Sequence, residues 1–273
     1  MTNNNTPNTK ASDGYQKYLK SKKKNKRKIL FWQLGLLIGF IILWEVLARV
    51  GLINTFLFSS PSAIWKLFLT YLEDGSLFKH VGMSVWETIL GFTIGTIVGV
   101  LVAIMLWWSD TFAKITSPLL VVLNALPKTA LAPIFIIWAG AGIGGIVLTA
   151  VAISVVTTIL SAYNYFSLID EEKIKMLESF GATKFQILTK LILPANIGNL
   201  VNILKINIGL SWVGVIVGEF IVSRYGLGYL LVYGSQVFRL DLVMMGVVVL
   251  AVCAFVMYGA VGLLEKYVKK HVK

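Results

Sequence analysis

Six stretches of predominantly apolar residues run along the chain, at about 29–50, 84–107, 117–139, 143–165, 197–222 and 242–264. Each approaches or exceeds the roughly 20 apolar residues that carry a helix across the hydrocarbon core of a bilayer. The pattern predicts an all-α polytopic membrane protein with six transmembrane helices. The first 28 residues are polar and rich in Lys and Asn, too hydrophilic to build a core, and are expected to form a disordered basic tail. The apolar run that follows is too long for the core of a signal peptide and lacks a small-residue cleavage site, so it reads as an uncleaved anchor. The expected division is a tail at 1–28, a transmembrane domain at 29–265 and a second basic tail at 266–273.

Between the first two runs, Pro61–Leu69 is too short and polar to span. Ser60 can cap it and Pro61 suits the first helical position, which predicts an amphipathic helix on the outer surface. Gly91, Gly95 and Gly99 recur at four-residue spacing and predict a face for close helix packing. Gly140, Gly142 and Gly145 match G-x-G-x-x-G literally, but the strand before it and the acid about 20 residues beyond that a dinucleotide site needs are missing. A tight external hairpin between the third and fourth runs is expected there.

Composition supports lipid as the main solvent: 14% of residues are charged, against roughly 25% in soluble domains. The net charge of +12 does not describe a nucleic-acid face, because the basic residues lie outside the apolar runs and crowd the two ends. With both termini in the cytoplasm, 18 of the 25 Lys and Arg fall inside and five outside, while Lys128 and Lys205 lie within spans. The inverse orientation would reverse that excess, so the positive-inside rule selects N-in/C-in. Trp32, Trp107 and Trp108 then sit at inner ends, and Trp86 and Trp138 at outer ends.

Cys253 is the only cysteine, which excludes an intrachain disulfide. His80 and His271 are far apart and are expected to lie outside the interior, so neither a metal site nor a nucleophile–base pair is evident. No G-x-x-x-x-G-K-[ST] loop occurs, hence the chain has no phosphate loop for ATP. It is expected to be no enzyme and to bind no cofactor.

The most informative polar segment is 167–194, SLIDEEKIKMLESFGATKFQILTKLILP. Asp170, Glu171 and Glu172 favour a helix N-terminus through capping and the helix dipole. Gly181 predicts its end, and Thr183 can cap a second helix that runs as far as Pro194. A short charged helix, a glycine turn and another helix are therefore expected on the cytoplasmic face.

This segment resembles the cytoplasmic signature E-A-A-x3-G-x9-I-x-L-P of permease subunits of binding-protein-dependent ABC importers. Gly181, Leu193 and Pro194 hold the expected spacing, and Leu191 stands at the Ile position. The E-A-A portion departs, with Lys175, Met176 and Leu177 there instead. Pro61-Ser62, Leu126-Pro127-Lys128, Ala132-Pro133, Phe135–Gly144, Gly218-Glu219, Gly226-Leu227-Gly228 and Asp241-Leu242 are similar to the nitrate/sulfonate/taurine-type subfamily. The resemblance, from about residue 35 to 265, implies a type I importer permease acting as a homodimer. It implies as partners a cytosolic ATPase that uses ATP and Mg, and an extracellular or periplasmic solute-binding protein. Lys175, Glu178, Gly181, Ala182, Thr183, Leu193 and Pro194 become the candidate ATPase-coupling residues.

Polar residues within the apolar runs are candidates for a solute path: Asn124, Lys128, Ser154, Asn207, Ser211 and Glu219. A lysine at mid-depth is costly and marks either a function or a partner. Lys128 could attract an oxyanion such as a sulfonate, taurine or nitrate, or hold helices together. Glu219 could serve as a gate, a cation partner or half of an ion pair, whereas Glu45 and Arg49, one turn apart, are expected to pair. A neutral or cationic cargo keeps the same architecture. An ATP-independent secondary transporter would instead need internal repeats and ion-coordinating groups at mid-membrane.

Overall fold

The computed structural model of the chain describes residues 13–271. By its internal contacts the chain divides into two units, Met1–Ala63 and Ile64–Lys273. In the first, α1 (Asp13–Arg49) is followed by the short α2 (Thr55–Phe58), and α3 (Pro61–Glu73) begins. The expected disordered tail is corrected over 13–28, which is helical and continuous with the first apolar run; residues 1–12 of that expectation lie outside the described residues. Beyond Gly14 the segment contains neither Gly nor Pro and is rich in Lys, a good helix former. Once the apolar half is helical, each added residue gains a hydrogen bond without a new nucleus. Glu45 pairs with Arg49 at 2.7 Å, as expected, and also accepts the Ser62 N–H at 3.0 Å. Ser60 Oγ accepts the Ala63 N–H at 3.3 Å and Pro61 opens α3, so the start signal read from the sequence is the one used.

The second unit continues with α4 (Ser76–Trp108), α5 (Asp110–Ala125), α6 (Ala132–Ala139), α7 (Ile143–Ser167), α8 (Glu171–Ser179), α9 (Lys184–Ile187), α10 (Leu193–Val222), α11 (Leu227–Gln236) and α12 (Leu240–His271). The basic C-terminal segment 266–271 prolongs α12, and residues 272–273 lie outside the described residues. Among the described residues five helical runs are long and apolar enough to cross a membrane, six if one bent pair counts as a single span. That pair occupies the expected third run. Instead of one straight helix over 117–139, α5 ends at Ala125 and a short 3₁₀ turn at Lys128–Leu131 leads into α6, with an 86° bend. Pro127 has no N–H to continue the ladder, and it drives Leu126 to an extended conformation (φ −66°, ψ 140°). Gly140 (φ 87°) and Gly142 (φ 143°) then reverse the chain into α7, forming the tight turn expected from the glycines.

The core is the meeting of α4, α7 and α10. Gly91, Gly95 and Gly99 on α4 lie opposite Ala150, Ser154 and Thr158 on α7, so two four-residue ladders face each other rung by rung. From the other side, Gly214 of α10 stands against the Ala150 backbone and Gly218 against Ile146. Ala150 is thus caught between two glycines with no exposed surface. Lipid offers no hydrophobic drive for helix association, so this close approach supplies the dispersion contacts that hold the three helices. Lys205 of α10, expected to lie within a span, forms an ion pair with Glu265 of α12 and has its ammonium 5.6 Å from the Tyr258 ring.

Two glycine substitutions separate packing from propensity. Gly214→Val would drive Cβ into the Ala150 backbone and should cost at least the ~1–3 kcal/mol of overpacking. Gly82→Ala meets nothing within 4 Å and should gain up to ~1 kcal/mol of helix propensity. Thermal unfolding of the purified variants in detergent should fall sharply for the first and hold or rise for the second.

Candidate functional site

Three polar groupings stand out against the apolar helices. The first is the link from α7 to α10. Asp170 is the N-cap of α8, its side chain accepting the Glu172 N–H at 3.0 Å. At the other end the Gly181 N–H reaches the Glu178 carbonyl at 2.9 Å and the Ala182 N–H reaches the Leu177 carbonyl at 3.0 Å. These two bonds form a Schellman motif, and Gly181 takes the left-handed conformation it requires (φ 80°). Thr183 then starts α9 through a complete capping box: its hydroxyl accepts the Gln186 N–H at 3.3 Å, and Gln186 Oε1 accepts the Thr183 N–H at 2.8 Å. Only three residues therefore separate the last helical residue of α8 from the cap of α9, each with its conformation set.

The second helix does not stop at Pro194, contrary to expectation. The helical run Lys184–Val222 is continuous. A wider π turn at Leu188–Ile192, closed by the Leu193 N–H to the Leu188 carbonyl, precedes the proline. Widening the turn relieves the clash between the Pro194 ring and the previous turn and accommodates its missing donor. Inward-facing Ile174, Leu177, Ala182 and Leu193 pack on a cluster built from Ala103, Ala162, Phe166, Ile187, Leu188 and Ile192. Lys184 Nζ donates to the Trp108 carbonyl at 3.3 Å, tying α9 to the end of α4. Outward, Lys175 pairs with Glu171 at 3.2 Å, Met176 and Phe180 are exposed, and Phe180, Gly181, Ala182, Gln186 and Lys190 border a hollow of about 250 Å³. The candidate coupling residues thus separate: Lys175, Glu178, Gly181 and Thr183 are exposed, while Ala182, Leu193 and Pro194 are half-buried.

The second grouping lies at the bend after α5. Lys128 Nζ donates to the Asn124 carbonyl at 3.1 Å and to Asn124 Oδ1 at 3.2 Å, and Thr157 of α7 donates to the same Oδ1 at 3.4 Å. Lys128 is half-buried, with its charge against the carbonyl end of α5, where the helix dipole favours a cation. Asn124 and Lys128 are therefore brought together, but in a break between two helices rather than within one.

The remaining candidates are buried elsewhere. Asn207 Nδ2 donates to Thr96 Oγ1 at 2.9 Å and its side chain bonds Thr158, joining α10 to α4 and α7. Ser154 turns back to the Ala150 carbonyl at 3.0 Å, beneath Gly95. Ser211 is fully buried, and its hydroxyl has no partner among the described residues.

Glu219 belongs to a third grouping. Its carboxylate accepts the Ser84 hydroxyl at 2.5 Å and the Gly228 N–H at 2.5 Å, and Ser84 Oγ accepts the Leu227 N–H at 2.7 Å. The free N–H groups at the start of α11 are thereby satisfied by a carboxylate, the charge the dipole favours there. His80 is buried, correcting the expectation that neither histidine lies in the interior. Its Nδ1 accepts the Gly226 N–H at 3.0 Å and its ring stacks on Tyr229 at 5.8 Å.

Ser84, Glu87, Thr96, Thr157, Thr158 and Gln186 were not singled out from the sequence. A signal existed for two sets of them. Thr183-Lys184-Phe185-Gln186 spells a capping box, and Ser84 and Glu87 continue the face of Gly91, Gly95 and Gly99 toward the N-terminus. Nothing local pointed to partners more than 100 residues away.

The family model for the inner membrane component of binding-protein-dependent transport systems matches residues 95–270. A Bacillus subtilis protein named as an aliphatic sulfonates transport permease is 27% identical over 252 residues, covering 91% of this chain and 91% of its own. A formylaminopyrimidine transport permease protein of Halalkalibacterium halodurans is 27% identical over 190 residues, 69% of this chain and 75% of its own. In fold, the chain is similar to a chain in the crystal structure of a bacterial alginate ABC transporter in complex with its alginate pentasaccharide-bound periplasmic protein. The TM-score is 0.61 at 14% identity, over 91% of this chain and 98% of that one.

Removing the hydroxyl that caps α9 tests the turn directly. Thr183→Ala should cost about 1 kcal/mol locally, read as faster amide hydrogen exchange over 184–187 with no change in the core of α7.

Proposed function

Because the chain belongs to the family of binding-protein-dependent transport system inner membrane components, we propose that it forms the translocation path for a small anion such as a sulfonate, taurine or nitrate, with the α8–Gly181–α9 unit as its coupling element. It is a multi-pass membrane permease of an ABC importer, and the family is one of transport components rather than enzymes. In the proposed assembly two copies of the chain pair, with N- and C-termini in the cytoplasm. A cytosolic ATPase that uses ATP and Mg lies beneath each copy, and a solute-binding protein docks on the opposite side. The alginate transporter, crystallised in complex with a periplasmic protein, is a precedent for the solute-binding partner alone.

The observation that carries the coupling role is the double cap around Gly181. A short exposed helix is joined through a conformationally fixed turn to a helical run that continues to Val222. Displacement of α8 by the ATPase would pass into α10 with little loss in the link, and α10 packs on α7 through Gly214 and Gly218 in contacts that admit no extra atoms. Lys175 and Met176 would present a different surface from the family's E-A-A pattern, with Leu177 turned inward, so they are candidates for choosing among ATPases.

An anionic cargo is supported by Lys128, a cation at a break in an apolar helical pair, and by the similarity to the sulfonate permease. The observation favouring a neutral cargo is that the Lys128 ammonium already rests on the Asn124 carbonyl and side chain. Likeness to the formylaminopyrimidine permease fits that second reading.

Two variants test the proposal in liposomes containing the full transporter. Gly181→Val forces a β-branched residue into a left-handed conformation at a cost of about 1–2 kcal/mol. ATP hydrolysis should persist while uptake per ATP falls several-fold; unchanged coupling would remove α8–α9 as the lever. Lys128→Ala should lower uptake of an anionic solute at least several-fold with normal assembly, and uptake equal to wild type would assign Lys128 to structure and favour the neutral cargo.

A further inference from the structure

Neither the coupling unit nor the bend at Lys128 uses the first turns of α4. That helix, Ser76–Trp108, has 33 residues and so a length of about 50 Å at 1.5 Å per residue, against the ~30 Å of a hydrocarbon core. Its apolar run begins only near residue 84, which puts the turns at 78–86 where hydrocarbon gives way to headgroups. A groove of about 350 Å³ lies there, lined by Phe78, Lys79, Gly82, Met83, Trp86 and Tyr225. Phe78, Gly82 and Trp86 follow one another at four-residue spacing on one face of the helix. Both rings are exposed, and a Cβ on the glycine between them would meet nothing within 4 Å. The result is an apolar slot with a ring at each end and no side chain at its floor.

One edge of the groove is cationic. Lys79 Nζ stands 3.7 Å from the centroid of the Tyr225 ring, a cation–π contact that occupies one side of the ammonium and gives its N–H groups no acceptor. Among the described residues Lys79 forms no ion pair. The nearest acid in the sequence, Asp74, is already taken by the N–H and hydroxyl of Ser76, at 2.8 and 2.5 Å. Tyr225 is held in its loop by Ser223, whose hydroxyl accepts the Tyr225 N–H at 3.2 Å. Arg224, beside it in the chain, is exposed and also forms no ion pair among the described residues.

We propose that this groove binds an anionic phospholipid, with the phosphate on the Lys79 ammonium and the first part of an acyl chain in the slot between Phe78 and Trp86. A phosphodiester supplies the acceptor oxygens that Lys79 lacks, and the second cation at Arg224 favours a lipid of net negative charge over a zwitterionic one. The apolar slot favours a lipid over a soluble phosphate, since it adds burial of methylenes to the charge contact. Its volume is that of a small-ligand pocket and too small for a whole lipid, so only the end nearest the headgroup is held. Because Tyr225 belongs to the link between α10 and α11, the bound lipid would bridge that link to the start of α4.

The test is native mass spectrometry of the full chain released from detergent, titrated with phosphatidylglycerol or phosphatidylcholine of the same acyl chains. Wild type should retain one more phosphatidylglycerol than Lys79→Ala does, held about fivefold more tightly than phosphatidylcholine, the worth of one basic residue at an anionic surface. Lys79→Arg should restore the preference, and Gly82→Leu, which fills the slot, should weaken retention of both lipids. Phosphatidylglycerol held by the Lys-rich start of α1 is common to all these proteins and cancels in the comparison. Lys79 and Gly82 are both exposed, so the variants should fold, which thermal unfolding in detergent checks. If Gly82→Leu does not fold, Lys79→Ala and Lys79→Arg decide the matter. Equal retention of phosphatidylglycerol by wild type and Lys79→Ala would overturn the proposal, as would a loss equally large for phosphatidylcholine. Glycerol phosphate that competes as well as the intact lipid would overturn it in favour of a soluble phosphate ester. A dimer that Gly82→Leu splits, with lipid retention unchanged, would overturn it in favour of a second copy of the chain.

Discussion

The fold rests on how closely three helices can approach. α4, α7 and α10 meet through Gly91, Gly95, Gly99, Ala150, Gly214 and Gly218, and every other feature of the second unit is positioned from that contact. The Asn207–Thr96–Thr158 bonds form because the helices are already near enough for short polar side chains to reach across. The same proximity brings Ser84 of α4 to Glu219 of α10 and so fixes the start of α11. Packing of this kind is unforgiving, because a single methyl group has nowhere to go where backbone meets backbone. That rigidity suits a transport path that must move in large pieces rather than yield locally.

Much of this was legible along the chain. Apolar runs located the long helices because lipid imposes a minimum length and few charges, and the glycine ladder marked the packed face of α4. Start and stop signals at Ser60-Pro61, Asp170, Gly181 and Thr183 were read correctly because caps are local chemistry. The failures have a common cause as well. The 86° bend was hidden because hydropathy runs on through 117–139, although Leu126-Pro127 carried the information. The helical stretch 13–28 was missed because polarity was taken for disorder, while a neighbouring apolar helix can supply the nucleus.

The polar interior shows the limit of reading by residue type. Asn207 and Ser154 are polar residues in apolar runs, as a solute path would need; in this structure Asn207 bonds across to Thr96 and Thr158, while Ser154 turns back on its own helix. Glu219 was open in the sequence to a gate, a cation partner or half of an ion pair; in the structure its carboxylate accepts from donors 135 and 9 residues away. His80 looked peripheral because it precedes the apolar run, but α4 begins at Ser76 and carries it inside. Polarity announces that a partner exists, and only the fold says which one.

The π turn at Leu188–Ile192 also sets the rotational phase between the two halves of the long helix. A π turn amounts to one residue more than an α-helix needs over that length, and each helical residue turns the chain by 100°. Without it, α8 and α9 would face a different side of the molecule for the same orientation of Asn207 and Glu219. Which side of α8 is offered to a partner is therefore governed from a point about ten residues away, at the foot of α10. Insertions and deletions there would re-aim the exposed helix without touching its sequence.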